Sequence, residues 1–222
     1  MNILRGKSIR QLVANFRNEY ITHGLDESRM AGDPIEQFET WFHEAVKARL
    51  PEPNAMHLAT VSPQGAPSGR FMLLKGFDDQ GFQFYTHYNS RKGHELAENP
   101  QAAITFLWME LFRSVRIEGT IAPLPASQSD EYFQSRPRSS QLGAWASAQS
   151  RPLTSRAELD QRFRELEKKF AGQPIPRPAT WGGYLLTPLR IEFWQGRASR
   201  LHDRIVYTKG TEGDWKRERL NP

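Results

Sequence analysis

Two neighbouring stretches, Ala102-Ala-Ile-Thr-Phe-Leu-Trp-Met109 and Phe112-Arg-Ser-Val-Arg-Ile-Glu-Gly-Thr-Ile-Ala122, decide the fold class. In the second, Val115, Ile117 and Ile121 alternate with Arg116, Glu118 and Thr120, the period of two that marks a strand. Three upstream stretches, 55–62, 68–76 and 82–88, read the same way. Turn chemistry at Pro63-Gln-Gly65 and Asp78-Asp-Gln-Gly81 separates them. A short helix, capped by Ser90 and ended before Pro100, interrupts the series. Short antiparallel strands in succession close most economically into a barrel or a strongly curved sheet.

Helices flank this region. Upstream, Ile9, Leu12, Val13, Phe16 and Tyr20 fall at helical spacing, and Gly24 is a stop. A second helix opens with Asp33 as N-cap, Pro34 at its first position and Glu36 completing a capping box. Its apolar face is expected to be Ile35, Phe38, Phe42, Ala45 and Val46. Downstream, 126–135 and 139–148 read as short helices around Arg136-Pro137. A longer one carries Leu159, Phe163, Leu166 and Phe170, and Gly172 with Pro174-Ile-Pro-Arg-Pro178 stops it. Strands return at roughly 183–187, 190–195, 203–208 and 214–219. With strands on both sides of a helical insert, the chain is expected to form a single α+β domain over 1–222. Its helical segment would span about 7–50, its barrel about 55–122 completed by about 183–220, and its insert about 126–172.

At 222 residues, with 38% hydrophobic and 25% charged residues, the chain has the composition of a soluble globular protein. No apolar run approaches the roughly 20 residues that span a bilayer, and the N-terminus lacks a secretory pattern. There is no cysteine, which excludes disulfides, iron–sulfur clusters, thiolate zinc sites and cysteine nucleophiles. A cytoplasmic location is compatible with this. The charge of +5 invites a nucleic-acid partner. However, the basic residues are interleaved with acids, as in Glu165-Leu-Glu-Lys-Lys169, so a solvated mixed surface is the expectation. Neither a nucleic-acid nor a membrane partner is expected.

Several common sites are missing. No Gly-x-Gly-x-x-Gly follows a strand, no Walker motif occurs, and no Gly-x-Ser-x-Gly elbow supports a serine hydrolase. None of the six histidines has zincin spacing, so no metal is expected. The chemistry then falls to an organic cofactor.

Four segments carry candidate chemistry. Arg70-Phe-Met-Leu-Leu-Lys75 is a strand with a cation at each end, and alternation places Arg70 and Lys75 on opposite faces. It reads equally well as a core strand with charged ends. Tyr85-Thr86 ends the next strand, and Ser90-Arg91-Lys92 opens a helix with a serine cap and two cations, an anion-binding pattern. Cations in a first turn are disfavoured by the helix dipole unless an anion intervenes. Tyr132-Phe-Gln-Ser-Arg136-Pro-Arg-Ser-Ser140 collects a phenol, two arginines and hydroxyls suited to a phosphate. Glu192-Phe-Trp-Gln-Gly196 and Arg200-Leu-His-Asp-Arg204 add stacking surfaces, guanidinium groups and a histidine for a flat anionic ligand.

In order and spacing, these segments together with Trp181-Gly-Gly-Tyr184 resemble the pyridoxine/pyridoxamine 5′-phosphate oxidase family over roughly residues 9–222. The resemblance implies an α+β fold, an FMN-binding split β-barrel of antiparallel strands with flanking helices. It implies a homodimer with FMN at the subunit interface, held by residues of both chains. It further implies oxidation of pyridoxine or pyridoxamine 5′-phosphate to pyridoxal 5′-phosphate by O2, with release of hydrogen peroxide and, from the amine, ammonia.

Carried over by position, Arg70, Phe71, Met72, Leu73, Leu74 and Lys75 would line FMN, with Tyr85, Thr86, Arg91, Lys92, Gln149, Ser150, Trp194 and Arg204. Lys75, Tyr132, Arg136 and Ser140 would hold the substrate phosphate, and Arg17 and Tyr20 would close over the substrate. Arg200 and His202 would sit at the reacting carbon as catalytic residues, His202 orienting the substrate or assisting proton removal. The family usually reads Glu-Arg-Gln-Val where this chain has Phe112-Arg-Ser-Val115. Ser114 therefore replaces a flavin-contacting glutamine, at a cost of about 1 kcal/mol for one neutral hydrogen bond. Two other readings stay open: a flavin reductase or FMN-storing split barrel, and a polyanion binder with no cofactor.

Overall fold

The computed structural model describes residues 24–222. The expected first helix, with Arg17 and Tyr20, lies outside the described residues. After a short 3-10 turn comes α1 (Pro34–Lys47), whose N-cap Asp33 accepts from the amides of Ile35 and Glu36. Its buried face is Pro34, Gln37, Phe38, Trp41 and Ala45. Val46, expected on that face, is half exposed, and Trp41 takes its place. The 34/37/38/41/45 stripe is as wide as the expected one but is rotated about the helix axis, away from Val46 and toward Trp41.

Among the described residues, nine strands form one antiparallel sheet: β1 (Ala55–Val61), β2 (Pro67–Leu73), β3 (Gly76–Asp78), β4 (Gly81–His87), β5 (Gln101–Trp108), β6 (Arg113–Pro123), β7 (Trp181–Gln195), β8 (Asp203–Lys209) and β9 (Trp215–Leu220). Seven of them follow the path β2-β1-β5-β6-β7-β4-β3. The two ends of that path, β2 and β3, are separated in the chain only by Leu74 and Lys75. The Leu74 amide bonds the Asn54 carbonyl at 2.9 Å, beside β1, and the Lys75 amide bonds the Gln83 carbonyl of β4 at 2.9 Å. A path whose two ends adjoin in the chain cannot lie flat, so the sheet curls into a barrel. The expected strand 68–76 is therefore two strands, because the backbone changes partner at Leu74.

β7 is where the barrel splits. The expected strands 183–187 and 190–195 are one 15-residue strand. Along one edge it pairs with β6. Along the other, Trp181–Leu186 pair with β4 and Arg190–Gln195 with β8, which in turn pairs with β9. The proline between the two halves is carried by a β-bulge: Gly119 pairs with Pro188, Glu118 with Arg190, and Leu189 is the extra residue. Gly119 has to be glycine, because a Cβ there would lie 2.1 Å from the Thr187 carbonyl oxygen.

The barrel interior holds Leu58, Ile104, Phe106, Val115, Ile117, Ile191 and Phe193, all fully buried. From α1, Phe38 plugs this core, with ring centroids 5.0 Å from each of Phe77, Phe82 and Phe106. The remaining α-helices among the described residues are α2 (Arg91–Glu98), α3 (Ala126–Ser135), α4 (Arg138–Ala146) and α5 (Arg156–Lys169). Phe133 of α3, Leu142 of α4, Phe170, Ile175 and Trp181 form a second, smaller core. That core fixes the helical insert against the start of β7. No helix among the described residues is long and apolar enough to cross a membrane.

Candidate functional site

At the N-terminal end of β7, β4 presents Tyr85 and Thr86 opposite Gly183 and Gly182. A Cβ on Gly183 would meet the Tyr85 ring at 2.7 Å, so the glycine lets that ring close over the strand. Tyr85 then stacks on Tyr132 of α3 (centroids 3.9 Å, 20°) and on Trp181 (5.5 Å, 13°). Burial, followed by the neighbouring Tyr132, raises the Tyr85 phenol above its usual range and keeps it protonated.

Beside this stack lies a buried lysine. Lys92, in the first turn of α2, donates to Thr86 Oγ1 (3.2 Å) and Gln149 Oε1 (2.8 Å), and Thr86 Oγ1 also donates to Gln149 (3.0 Å). No carboxylate among the described residues lies within ion-pair distance of it. Burial, then the charge of Arg70, lowers its pKa to about 8. Arg70 and Arg91 both meet Glu95: Arg70 Nη2 lies 3.2 Å from Oε2 and Arg91 Nε 2.9 Å from Oε1. The structure thus gathers Arg70, Tyr85, Thr86, Arg91, Lys92 and Gln149 at one end of the barrel.

Of the rest of the Arg70–Lys75 string, Met72 and Leu73 are half-buried, Leu74 is buried and Lys75 is exposed. Phe71 stands out from the edge strand β2, 82% exposed. Ser150 follows Gln149 in an exposed turn with positive φ.

The corner between α3 and α4 holds a half-buried cation without an ion pair among the described residues. Arg136 lies with its guanidinium carbon 4.6 Å from the Trp181 ring centroid and 5.6 Å from that of Phe133. Its Nη1 is buried and has no hydrogen-bond partner. Burial lowers its pKa, with Tyr132 opposing the shift. Buried Gln141 pins the corner by donating to the carbonyls of Phe133, Gln134 and Arg136 at 3.1, 3.2 and 3.1 Å. Ser140 is half-buried in the first turn of α4. Arg138 turns away instead and donates to the carbonyls of Phe170 and Gln173 at the end of α5.

The remaining candidates lie at the far end of β7. Ser114 of β6 pairs with Trp194, and Trp194 with Arg204 of β8. Glu192 is buried and holds Arg204 through two hydrogen bonds, at 2.8 and 3.1 Å. Burial pushes its carboxyl up, but Arg204 and Arg116 hold it below the usual range. The His202 ring lies 4.7 Å from that of Trp194, and its Nδ1 accepts from the Arg197 amide at 3.1 Å. Acceptance at Nδ1 puts the proton of neutral His202 on Nε2, so the imidazole presents a donor rather than a base. Burial, then Arg200, lowers its pKa. Arg200 itself is exposed, with φ of 60°.

Gly183, beside Tyr85, and Trp194 are eleven positions apart on one strand (194 minus 183), roughly 35 Å at strand rise. That exceeds the length of a flavin mononucleotide. Within one chain, therefore, the Lys92 end and the Trp194 end do not meet. Sequence reading left two participants without a role. Glu95 has a signal in its i+4 spacing from Arg91, and Trp181 has none before the insert folds against β7. Among the described residues no cluster of three or more histidine and carboxylate side chains could hold a metal.

The family described as pyridoxamine 5′-phosphate oxidase matches residues 42–170, and the pyridoxine 5′-phosphate oxidase C-terminal dimerisation region matches residues 181–222. A pyridoxine/pyridoxamine 5′-phosphate oxidase of Rubrobacter xylanophilus is 55% identical over 213 residues, covering 96% of this chain and 98% of the relative. Among solved structures, PhzG from Burkholderia lata, in complex with tetrahydrophenazine-1-carboxylic acid, superposes with a TM-score of 0.85. It is 34% identical over 90% of this chain and 99% of its own. A pyridoxamine 5′-phosphate oxidase-related FMN-binding protein from Nostoc punctiforme has a TM-score of 0.69 at 18% identity, over 87% of this chain and all of its own, a likeness of fold.

Proposed function

The chain belongs to the pyridoxamine 5′-phosphate oxidase family, and on that basis we propose that it makes pyridoxal 5′-phosphate from pyridoxine and pyridoxamine 5′-phosphates. The acceptor of this reading is O2, the products hydrogen peroxide and, from the amine, ammonia. The enzyme is a cytoplasmic FMN-dependent homodimer, each chain one split-barrel domain. One observation carries the reading: among the described residues neither buried Lys92 nor half-buried Arg136, whose Nη1 is buried without a hydrogen-bond partner, has a carboxylate partner. A buried cation without a counter-charge is costly unless an anion completes it. Lys92 suits the cofactor phosphate and Arg136 the substrate phosphate, so the residues present fit FMN and a phosphorylated substrate.

When bound, FMN supplies the two-electron acceptor that no side chain of this protein offers. Arg70, Tyr85, Thr86, Arg91, Lys92, Gln149 and Ser150 hold it on one subunit, with the backbone of 71–75 alongside. Ser114, Trp194 and Arg204 reach it from the second copy, since the span of β7 keeps them from the same subunit's Lys92. The dimerisation region matched at 181–222 supports that assembly. Tyr132, Arg136, Ser140 and Lys75 anchor the substrate phosphate, remote from the reacting carbon, so that binding energy orients the ring. Arg200 stabilises negative charge on the ring, and His202 orients the substrate by donating from Nε2. The tautomer favours this orienting role over proton removal.

The test is aerobic turnover of pyridoxine 5′-phosphate by FMN-loaded protein, following pyridoxal 5′-phosphate and peroxide together. Both should form in step. Bound flavin without either product would leave a flavin reductase or storage protein. A colourless protein that FMN does not saturate would end the flavoenzyme reading altogether.

A further inference from the structure

Glu95 is buried in the middle of α2, with its side chain only 6% exposed, and one carboxylate receives four donors. Oε2 accepts from Thr60 Oγ1 (2.5 Å), Ser68 Oγ (2.6 Å) and Arg70 Nη2 (3.2 Å), and Oε1 accepts from Arg91 Nε (2.9 Å). The two hydroxyls serve twice, because Arg70 also donates to Thr60 Oγ1 and Ser68 Oγ, each at 2.6 Å. The result is a closed ring of hydrogen bonds linking β1, β2 and α2.

A plain structural staple would not need two arginines. Arg91 is 65% exposed on its side chain, and only its Nε is committed to Glu95. Its two terminal nitrogens make no hydrogen bond to a described side chain. Arg91 and Lys92 also sit in the first turn of α2, where the helix dipole disfavours cations. The charges close if a ligand is counted. Three cations (Arg70, Arg91, Lys92) less one carboxylate (Glu95) leave two positive charges, which a phosphate monoester dianion cancels.

We propose that Glu95 is a positioning residue for the cofactor phosphate: from behind, its carboxylate orients Arg70 and Arg91 and trims the site's charge to that of a phosphate monoester. The proposal rests on the reading that this end of the barrel holds the FMN phosphate. Prior hydrogen bonding of the guanidinium groups means that less of their side-chain freedom is lost when the anion arrives.

The experiment compares the apoprotein's affinity for FMN with that for riboflavin, which lacks the phosphate, by quenching of flavin fluorescence. The proteins are the full-length wild type, Glu95→Gln and Ser68→Ala. Glu95→Gln keeps the side chain's shape and removes its charge. It should lower the FMN-to-riboflavin preference about tenfold, the worth of a charged hydrogen bond, and leave riboflavin affinity within about twofold. Ser68→Ala, on an edge strand, should lower the preference about threefold, and it keeps the test readable if Glu95→Gln does not fold.

A structural staple predicts equal weakening of both flavins, and simple repulsion by Glu95 predicts tighter FMN in Glu95→Gln. Either result, with the wild-type preference intact, overturns the role of Glu95 alone. A wild-type protein with no preference for FMN over riboflavin overturns the phosphate site and this proposal with it.

Discussion

Replacing Arg136 by methionine separates binding from stability, because this guanidinium contributes little to the ligand-free fold. Its Nη1 has no partner, and it lies over the faces of Trp181 and Phe133. Losing the cation–π contacts costs about 0.5–2 kcal/mol. Removing an unsatisfied buried donor returns about 1–3 kcal/mol, and methionine packs well against rings. The two terms cancel to within about 1 kcal/mol, so Tm should move by no more than about 4 °C for a chain of this size. The phosphorylated substrate enjoys no such cancellation. Loss of a charged hydrogen bond of about 1.5–3 kcal/mol raises its KM roughly 10- to 150-fold. Steady-state kinetics with pyridoxine 5′-phosphate, beside thermal melts of the same preparations, measure both. Unphosphorylated pyridoxine is the control, and its weaker turnover should not change. A fall in Tm near 10 °C, or equal losses for both substrates, would show that Arg136 is structural and refute the reasoning.

Three further outcomes follow from other parts of the molecule. In the folded apoprotein Lys92 titrates near pH 8, and the phosphate binds its charged form. FMN affinity should therefore be full below pH 8 and fall up to about tenfold per pH unit above it, a dependence that Lys92→Met flattens. Apoprotein stability should move the opposite way, rising between about pH 8 and 10.5, where the unfolded chain holds the proton that the folded one has lost. His202 titrates below its usual 6.5; protonation leaves the Nε2 donor in place and removes the Nδ1 acceptor that ties the ring to the Arg197 amide. Activity should show an acid limb below pH 6.5 that disappears in His202→Gln, which retains a donor and an acceptor, with turnover above pH 7 largely kept; loss of turnover at every pH in that variant would restore the base. In Gly119→Ala the new Cβ meets backbone at the β7 bulge, costing about 3 kcal/mol and lowering Tm by roughly 6–12 °C. A smaller shift on thermal denaturation would mean that the bulge relaxes.

The alternation through β1, β4, β5 and β6, the Asp33 and Ser90 caps and the helices of the insert were legible in the sequence because each depends on residues a few positions apart. The errors arose where the decision was non-local. Leu74 continues a strand by pattern, yet its amide goes to Asn54 while that of Lys75 goes to Gln83. Pro188 reads as a break between strands, yet the bulge opposite Gly119 carries it within one. Val46 fits the helical stripe, but the barrel core selects Trp41, whose ring meets Phe193 edge-on at 5.1 Å.

The site divides along the same line. Sequence alone determined which side chains bear the chemistry, because charge, ring area and spacing within a motif are properties of short segments. Only the tertiary structure decided which of them meet. It buried Lys92 and the Nη1 of Arg136 without counter-charges and turned Arg138 away to the end of α5. It set Glu95 behind two arginines drawn from different elements. It also set Tyr85 and Trp194 at opposite ends of β7. These outcomes depend on burial and on contacts between residues 25 to more than 100 positions apart. No local pattern encodes them, because the free energy of a charge depends on the dielectric and the partners that the folded chain assembles around it.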